Sequence, residues 1–182
     1  RDMLEITIPG AECWDESREM FVTTKEQTIR LEHSLVSISK WESKWHKAFY
    51  SNREKTAEEV IDYIRCMTLT KNVDPYIYNC LSEENIQKIN SYIEDPMTAI
   101  KSYDEKQGGL SRDTITSELI YYWMISLNIP VEFEKWHINR LLTLIKVFNT
   151  KNKPDKKMST KEFIDRNRAL NKARREQLKS KG

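Results

Sequence analysis

From residue 34 onward, apolar side chains in this 182-residue chain recur at intervals of three and four, the spacing that places them on one helix face. Kept over most of the sequence, that periodicity restricts the chain to a fold built mainly of packed helices. Leu35, Ile38, Trp41 and Trp45 follow it behind a capping Ser34. Thr56 with Glu59 reads as a capping box ahead of Val60, Ile61, Ile64 and Met67. Asp74-Pro75 opens a short helix with proline in its first turn. Ser82 starts another, with Ile86, Ile89, Tyr92 and Ile93 as its buried stripe, and Asp95-Pro96 stops it. The longest candidate loop, 95–113, contains Gly108-Gly109. Two strongly apolar helices are expected next, one from Ile115 through Trp123 to Leu127, the other from Phe133 through Trp136 and Leu141 to Phe148. Separated by Pro130, they should form an antiparallel pair at the domain centre. A second capping box, Ser159 with Glu162, opens a last helix through Phe163, Ile164, Leu170 and Leu178.

Only the first thirty-odd residues carry strand signals. Leu4 to Ile8 alternates apolar and polar until Pro9-Gly10 stops it, and 19–24 and 28–33 are further β-prone runs. The link Lys25-Glu26-Gln27 is short enough for a hairpin, so an antiparallel sheet of two or three strands is expected, docked on the helices because it is marginal alone. The fold class read from the sequence is therefore α+β and mainly α-helical, with a small N-terminal antiparallel sheet packed on a helical bundle.

Charge is distributed unevenly. Residues 151–182 hold 12 Lys and Arg against 4 Asp and Glu, whereas 1–150 hold 18 against 24. A mildly acidic globular body over 1–150 with a basic helical extension over 151–182 is the organisation implied. No apolar run approaches the roughly 20 residues of a membrane span, and the opening Arg1-Asp2-Met3-Leu4-Glu5 does not read as a secretory signal. Cys13, Cys66 and Cys80, odd in number and far apart, read as reduced, mostly buried thiols; a Cys66–Cys80 disulfide is the alternative.

Nothing in the pattern points to catalysis, a metal or a cofactor. His33, His46 and His137 have no partners at metal-ligand spacing, and there is no nucleophile elbow, Walker loop or dinucleotide fingerprint. Acidic pairs such as Glu58-Glu59 sit where helix N-termini favour negative charge. The candidate sites are instead surfaces for macromolecules. Trp41 and Trp45 share a helix face flanked by Lys40, Lys44 and Lys47, which suits either a core face with snorkelling lysines or a partner contact. Trp123, Trp136, His137 and Arg140 complete the candidate protein-binding set, with a structural hydrogen bond as the alternative role of His137. In the tail, Arg166, Arg168, Lys172, Arg174 and Arg175 form a basic helix for a protein groove or for nucleic-acid phosphates.

Four blocks carry a resemblance: 31–44 (LEHSLVSISKWESK), 114–124 (TITSELIYYWM), 135–145 (KWHINRLLTLI) and 166–171 (RNRALN). With them the chain resembles, over nearly its whole length, small proteins of long-tailed bacteriophages labelled tail assembly chaperones. The resemblance implies a non-enzymatic phage morphogenesis factor that binds the tape measure protein or other tail proteins, associates with itself, and acts in the cytoplasm of the infected bacterial host. Two alternatives stand beside it: a structural virion protein of the tail, neck or baseplate, and a nucleic-acid-binding protein using the basic tail. No membrane partner is expected.

Overall fold

The computed structural model describes residues 2–100, 114–152 and 160–179. The chain divides into two compact units, Arg1–Phe148 and Asn149–Gly182. It is an α+β protein, mainly helical.

The first unit opens with four strands: β1 (Leu4–Ile8), β2 (Glu12–Asp15), β3 (Met20–Thr23) and β4 (Gln27–Leu31). They pair as one hairpin nested inside another. β1 runs antiparallel to β4, with Leu4 opposite Leu31 and Ile8 opposite Gln27, and β2 runs antiparallel to β3. The link at 25–27 therefore closes no hairpin between its flanking strands, and β2, absent from the sequence reading, supplies the missing partner. Period-two alternation turns Ile6, Ile8, Ile29 and Leu31 inward, where all four are buried. Gly10 cannot take a side chain, because a Cβ there would stand 2.8 Å from the Thr24 carbonyl oxygen where the two hairpins meet. α2 (Ala57–Met67) ends against β4: Glu32 N–H donates to the Met67 carbonyl and Leu69 N–H to that of Arg30.

α1 (Leu35–Trp45) is capped by Ser34, whose hydroxyl accepts from Ser37 N–H and donates to Glu32 Oε1 at 2.8 Å. It ends on His46 in the left-handed conformation. Thr56 caps α2 through Glu59 N–H, but the Glu59 carboxylate turns to basic side chains instead of back to the cap, so the expected box is only half formed. The reciprocal box lies on α3 (Glu83–Glu94), between Ser82 and Asn85. Before it, Asp74 caps a 3-10 turn, Pro75–Cys80, as the Asp-Pro pair implies.

α4 (Ser117–Ser126) begins behind a capping Thr116, and α5 (Ile138–Lys151) follows a second 3-10 turn, Val131–Lys135. Both helices send residues into one core, Ile120 and Met124 from α4 and Leu141 and Ile145 from α5. α1 is the central helix and packs against both α2 and α4. Pro130 and the 3-10 turn delay α5 until Ile138, so Trp136 and His137 precede that helix. Leu35, Ile38 and Trp41 of α1 share one core with Ile64, Met67, Ile77, Ile89, Ile120, Met124, Leu141 and Ile145.

Cys13 and Cys80 are joined by a disulfide, and Cys66 is free. This corrects the reduced reading for Cys13 and Cys80 and the Cys66–Cys80 alternative, while Cys66 is free as expected: β2 lies against the first 3-10 turn and brings together two residues 67 apart in sequence, a proximity no local pattern reports. In the second unit, α6 (Thr160–Lys179) is a single long helix. The Gly108-Gly109 loop and the Ser159 cap lie outside the described residues. Among the described residues, no helix is long and apolar enough to cross a membrane.

Candidate functional site

A groove of about 480 Å³ opens between α2 and α3. This lies within the roughly 300–1,000 Å³ usual for binding sites. Val60, Ile61 and Ile64 of α2 form one wall, and Ile86, Ile89 and Ile93 of α3 form the other. Phe49, Tyr63, Tyr78 and Leu81 also line it, with Lys55, Asn79 and Asn90 as polar elements. The walls arise from apolar arcs wider than one buried stripe. Ile64 and Ile89 serve the core, while Val60 and Ile86 stay 46% exposed. Ile86 was expected in a buried stripe, and Val60 on one helix face with Ile61, Ile64 and Met67; the adjacent apolar pair Val60-Ile61, spanning about 100° of the helix, is the signal for a second contact.

The segment between α1 and α2 is strapped to the side of this groove by ion pairs. Lys47 Nζ and Arg53 Nη2 each reach Glu59 Oε1 at 2.9 Å, and Lys44 pairs with Asp62. Hydrogen bonding from Lys47 holds the Glu59 carboxyl below its ordinary range. Burial pushes Asp62 upward, but hydrogen bonds from Lys44 and Trp45 outweigh it. Glu59 Oε2 and the Tyr50 hydroxyl are buried without hydrogen-bond partners. Lys55 stands with Nζ 4.2 Å from the Phe49 ring centre and 5.4 Å from that of Trp41.

The residues singled out in the sequence do not converge on one surface. Trp41 is 1% exposed and donates its indole N–H to the Glu59 carbonyl at 2.9 Å, so it is core and no partner contact. Trp45 is half-buried, donating to Asp62 Oδ2, and the lysines beside it are spent on α2. Trp123 is half-buried against the core. His137 is wholly buried: Nε2 donates to the Tyr92 carbonyl at 2.7 Å and Nδ1 accepts from Asn139 N–H, capping α5. That removes it from the candidate binding set and gives it the structural role weighed for it. Trp136 and Arg140 do come together, the guanidinium 4.2 Å from a ring that stacks on Phe133, and Arg140 also meets Asp2 at 3.3 Å. They share a second, more polar cleft with Lys40 and Lys135. On α6 the side chains of Arg166, Arg168, Lys172 and Arg174 are exposed, and that of Arg175 lies outside the described residues.

Beneath these surfaces His33 and His137 meet edge to face at 5.1 Å. His33 Nδ1 lies 2.6 Å from the Tyr63 hydroxyl, and burial lowers its pKa to about 3. The hydroxyl of Tyr92 accepts from His33 N–H and donates to the Asp2 carbonyl. These groups tie β4, α3 and the start of α5 into one network. Among the described residues, no three metal-ligating side chains cluster. No protein-family model, curated protein or solved structure matches the chain.

Proposed function

We propose that this protein is a non-enzymatic assembly factor that holds an apolar helix of a client in the groove between α2 and α3, in the manner of a phage tail assembly chaperone holding the tape measure protein. The observation that carries the reading is the groove itself, whose rim leaves Val60 and Ile86 exposed on facing walls. An amphipathic helix docking its apolar face into such a groove is a recurrent recognition mode. The identity of the client rests on the resemblance of the sequence blocks. Co-expression with the tape measure protein should yield a captured complex, and the pair Val60→Asp and Ile86→Asp should reduce capture by at least about tenfold, since charge is placed where apolar surface must be buried. Undiminished capture by the double variant would remove the groove from the reading. Mass spectrometry of purified virions separates this reading from a structural virion protein, because an assembly factor should be absent from mature particles.

A second reading follows from α6, which displays Arg168, Lys172 and Arg174 on an exposed helix. If they meet phosphates, duplex DNA affinity should fall about fortyfold between 50 and 200 mM salt, as roughly three released counterions require. Reversing the charge of Arg168, Lys172 and Arg174 should flatten that slope. Binding with no salt dependence would exclude this reading.

A further inference from the structure

We infer that the groove between α2 and α3 selects client helices carrying a carboxylate beside their apolar stripe, and that Lys55 is the residue that reads it. The inference rests on the helix-in-groove reading above and adds the chemistry of the partner. Among the described residues that line the groove, Lys55 alone bears a formal charge. Its ammonium rests on the faces of Phe49 and Trp41 and donates to the Phe49 carbonyl at 2.6 Å. An ammonium has three donors, and among the described residues no carboxylate lies within ion-pair distance of this one. Glu59, whose charge reaches it, is already held by Lys47 and Arg53. Burial accordingly lowers the Lys55 pKa.

The other polar side chains of the lining are neutral, and two are committed elsewhere: the hydroxyl of Tyr63 to His33 and that of Tyr78 to Thr68. An uncharged apolar helix would cover Lys55 and desolvate it further without compensation, and a cationic one would repel it. A helix with Asp or Glu at the matching position completes a charge-assisted hydrogen bond in a partly dry setting, where such a bond is strong. The occupant is therefore an acidic amphipathic helix.

The test needs no knowledge of the client. A displayed library of random 16-residue peptides is selected on the full chain, on Lys55→Glu and Lys55→Met, and on the double variant Val60→Asp, Ile86→Asp, each first checked for a cooperative melt. The full chain should enrich peptides with apolar residues at i, i+4 and i+7 and an Asp or Glu at one fixed position, about tenfold above its library frequency. Lys55→Met should lose that acidic position while keeping the stripe, and Lys55→Glu should exchange it for Lys or Arg. The double variant should enrich neither. Apolar peptides without a fixed acidic position, or the same acidic position from Lys55→Met, would overturn the role of Lys55 and leave the groove reading standing. Equal enrichment by the full chain and the double variant, or none by either, would overturn both.

Discussion

Replacing Trp41 with alanine should destabilise the first unit by roughly 3–5 kcal/mol, the usual cost of removing a large aromatic side chain from a core. Three losses add up at this position. The indole is 1% exposed, so its whole surface returns to water on unfolding. Its N–H bond to the Glu59 carbonyl disappears. The edge contact with Phe49, at 5.5 Å between ring centres, also disappears, and with it the support of the segment that carries Lys55. Domains of this size are stable by only about 5–15 kcal/mol, so the variant should melt much earlier and lose cooperativity in mild denaturant. Trp41→Phe should keep most of the packing and cost less, about half as much. Urea titrations followed by circular dichroism decide it: a shift below about 1 kcal/mol for Trp41→Ala would contradict the placement of this side chain at the centre of the core.

Acid should unfold the protein through His33. In the fold its pKa is lowered to about 3 by burial, while in the unfolded chain it is about 6.5. Between those values the unfolded state binds a proton that the folded state refuses, so stability falls as pH falls from 6.5 towards 3, by about 1.4 kcal/mol per pH unit. Over the whole window this is of order 5 kcal/mol. Carboxylates held low in the fold act in the same direction but at lower pH, as with Asp15, which its hydrogen bond from Tyr76 helps bring to about 2. The interval from pH 5 to 6.5 therefore isolates the imidazole. His33→Phe should be less stable at pH 7, having lost the bond to Tyr63, yet nearly flat across that interval. A slope unchanged by the substitution would place the acid sensitivity in other groups.

The parts of this fold that sequence reading reaches are those determined within a few residues. Ser34, Thr56 and Ser82 cap the helices they were expected to cap, because a hydroxyl and the N–H three residues on are set by local geometry. β1 was legible from its alternation. β2 was not, because its four residues ECWD place an exposed Trp14 between a half-buried Cys13 and a buried Asp15, with too little contrast to betray a strand. Choice of partner was the larger gap. Apolar content marks α4 and α5 as buried but cannot say that α1 lies against α4. The site suffered for the same reason: Trp and Lys at helical spacing identify a face, and here that face turns inward, with the lysines answering Glu59 and Asp62. The exposure of Val60 and Ile86 is not legible either, because a stripe pattern does not distinguish the core from a groove beside it.

The bonds made by Asp2 bear on how the chain comes together. Its side chain accepts from His137 N–H across 135 residues and meets Arg140, and its carbonyl accepts from Tyr92. The carbonyl of His33 likewise waits for Ile138 N–H. Each of these closures must overcome the loop entropy of a long intervening chain before any of them is rewarded. β1 can pair with β4 early, but Asp2 ahead of it is fastened late, and a nascent chain that has not yet delivered Ile138 cannot complete this packing. Refolding should accordingly be slower than for a helical bundle whose neighbours in sequence are neighbours in space.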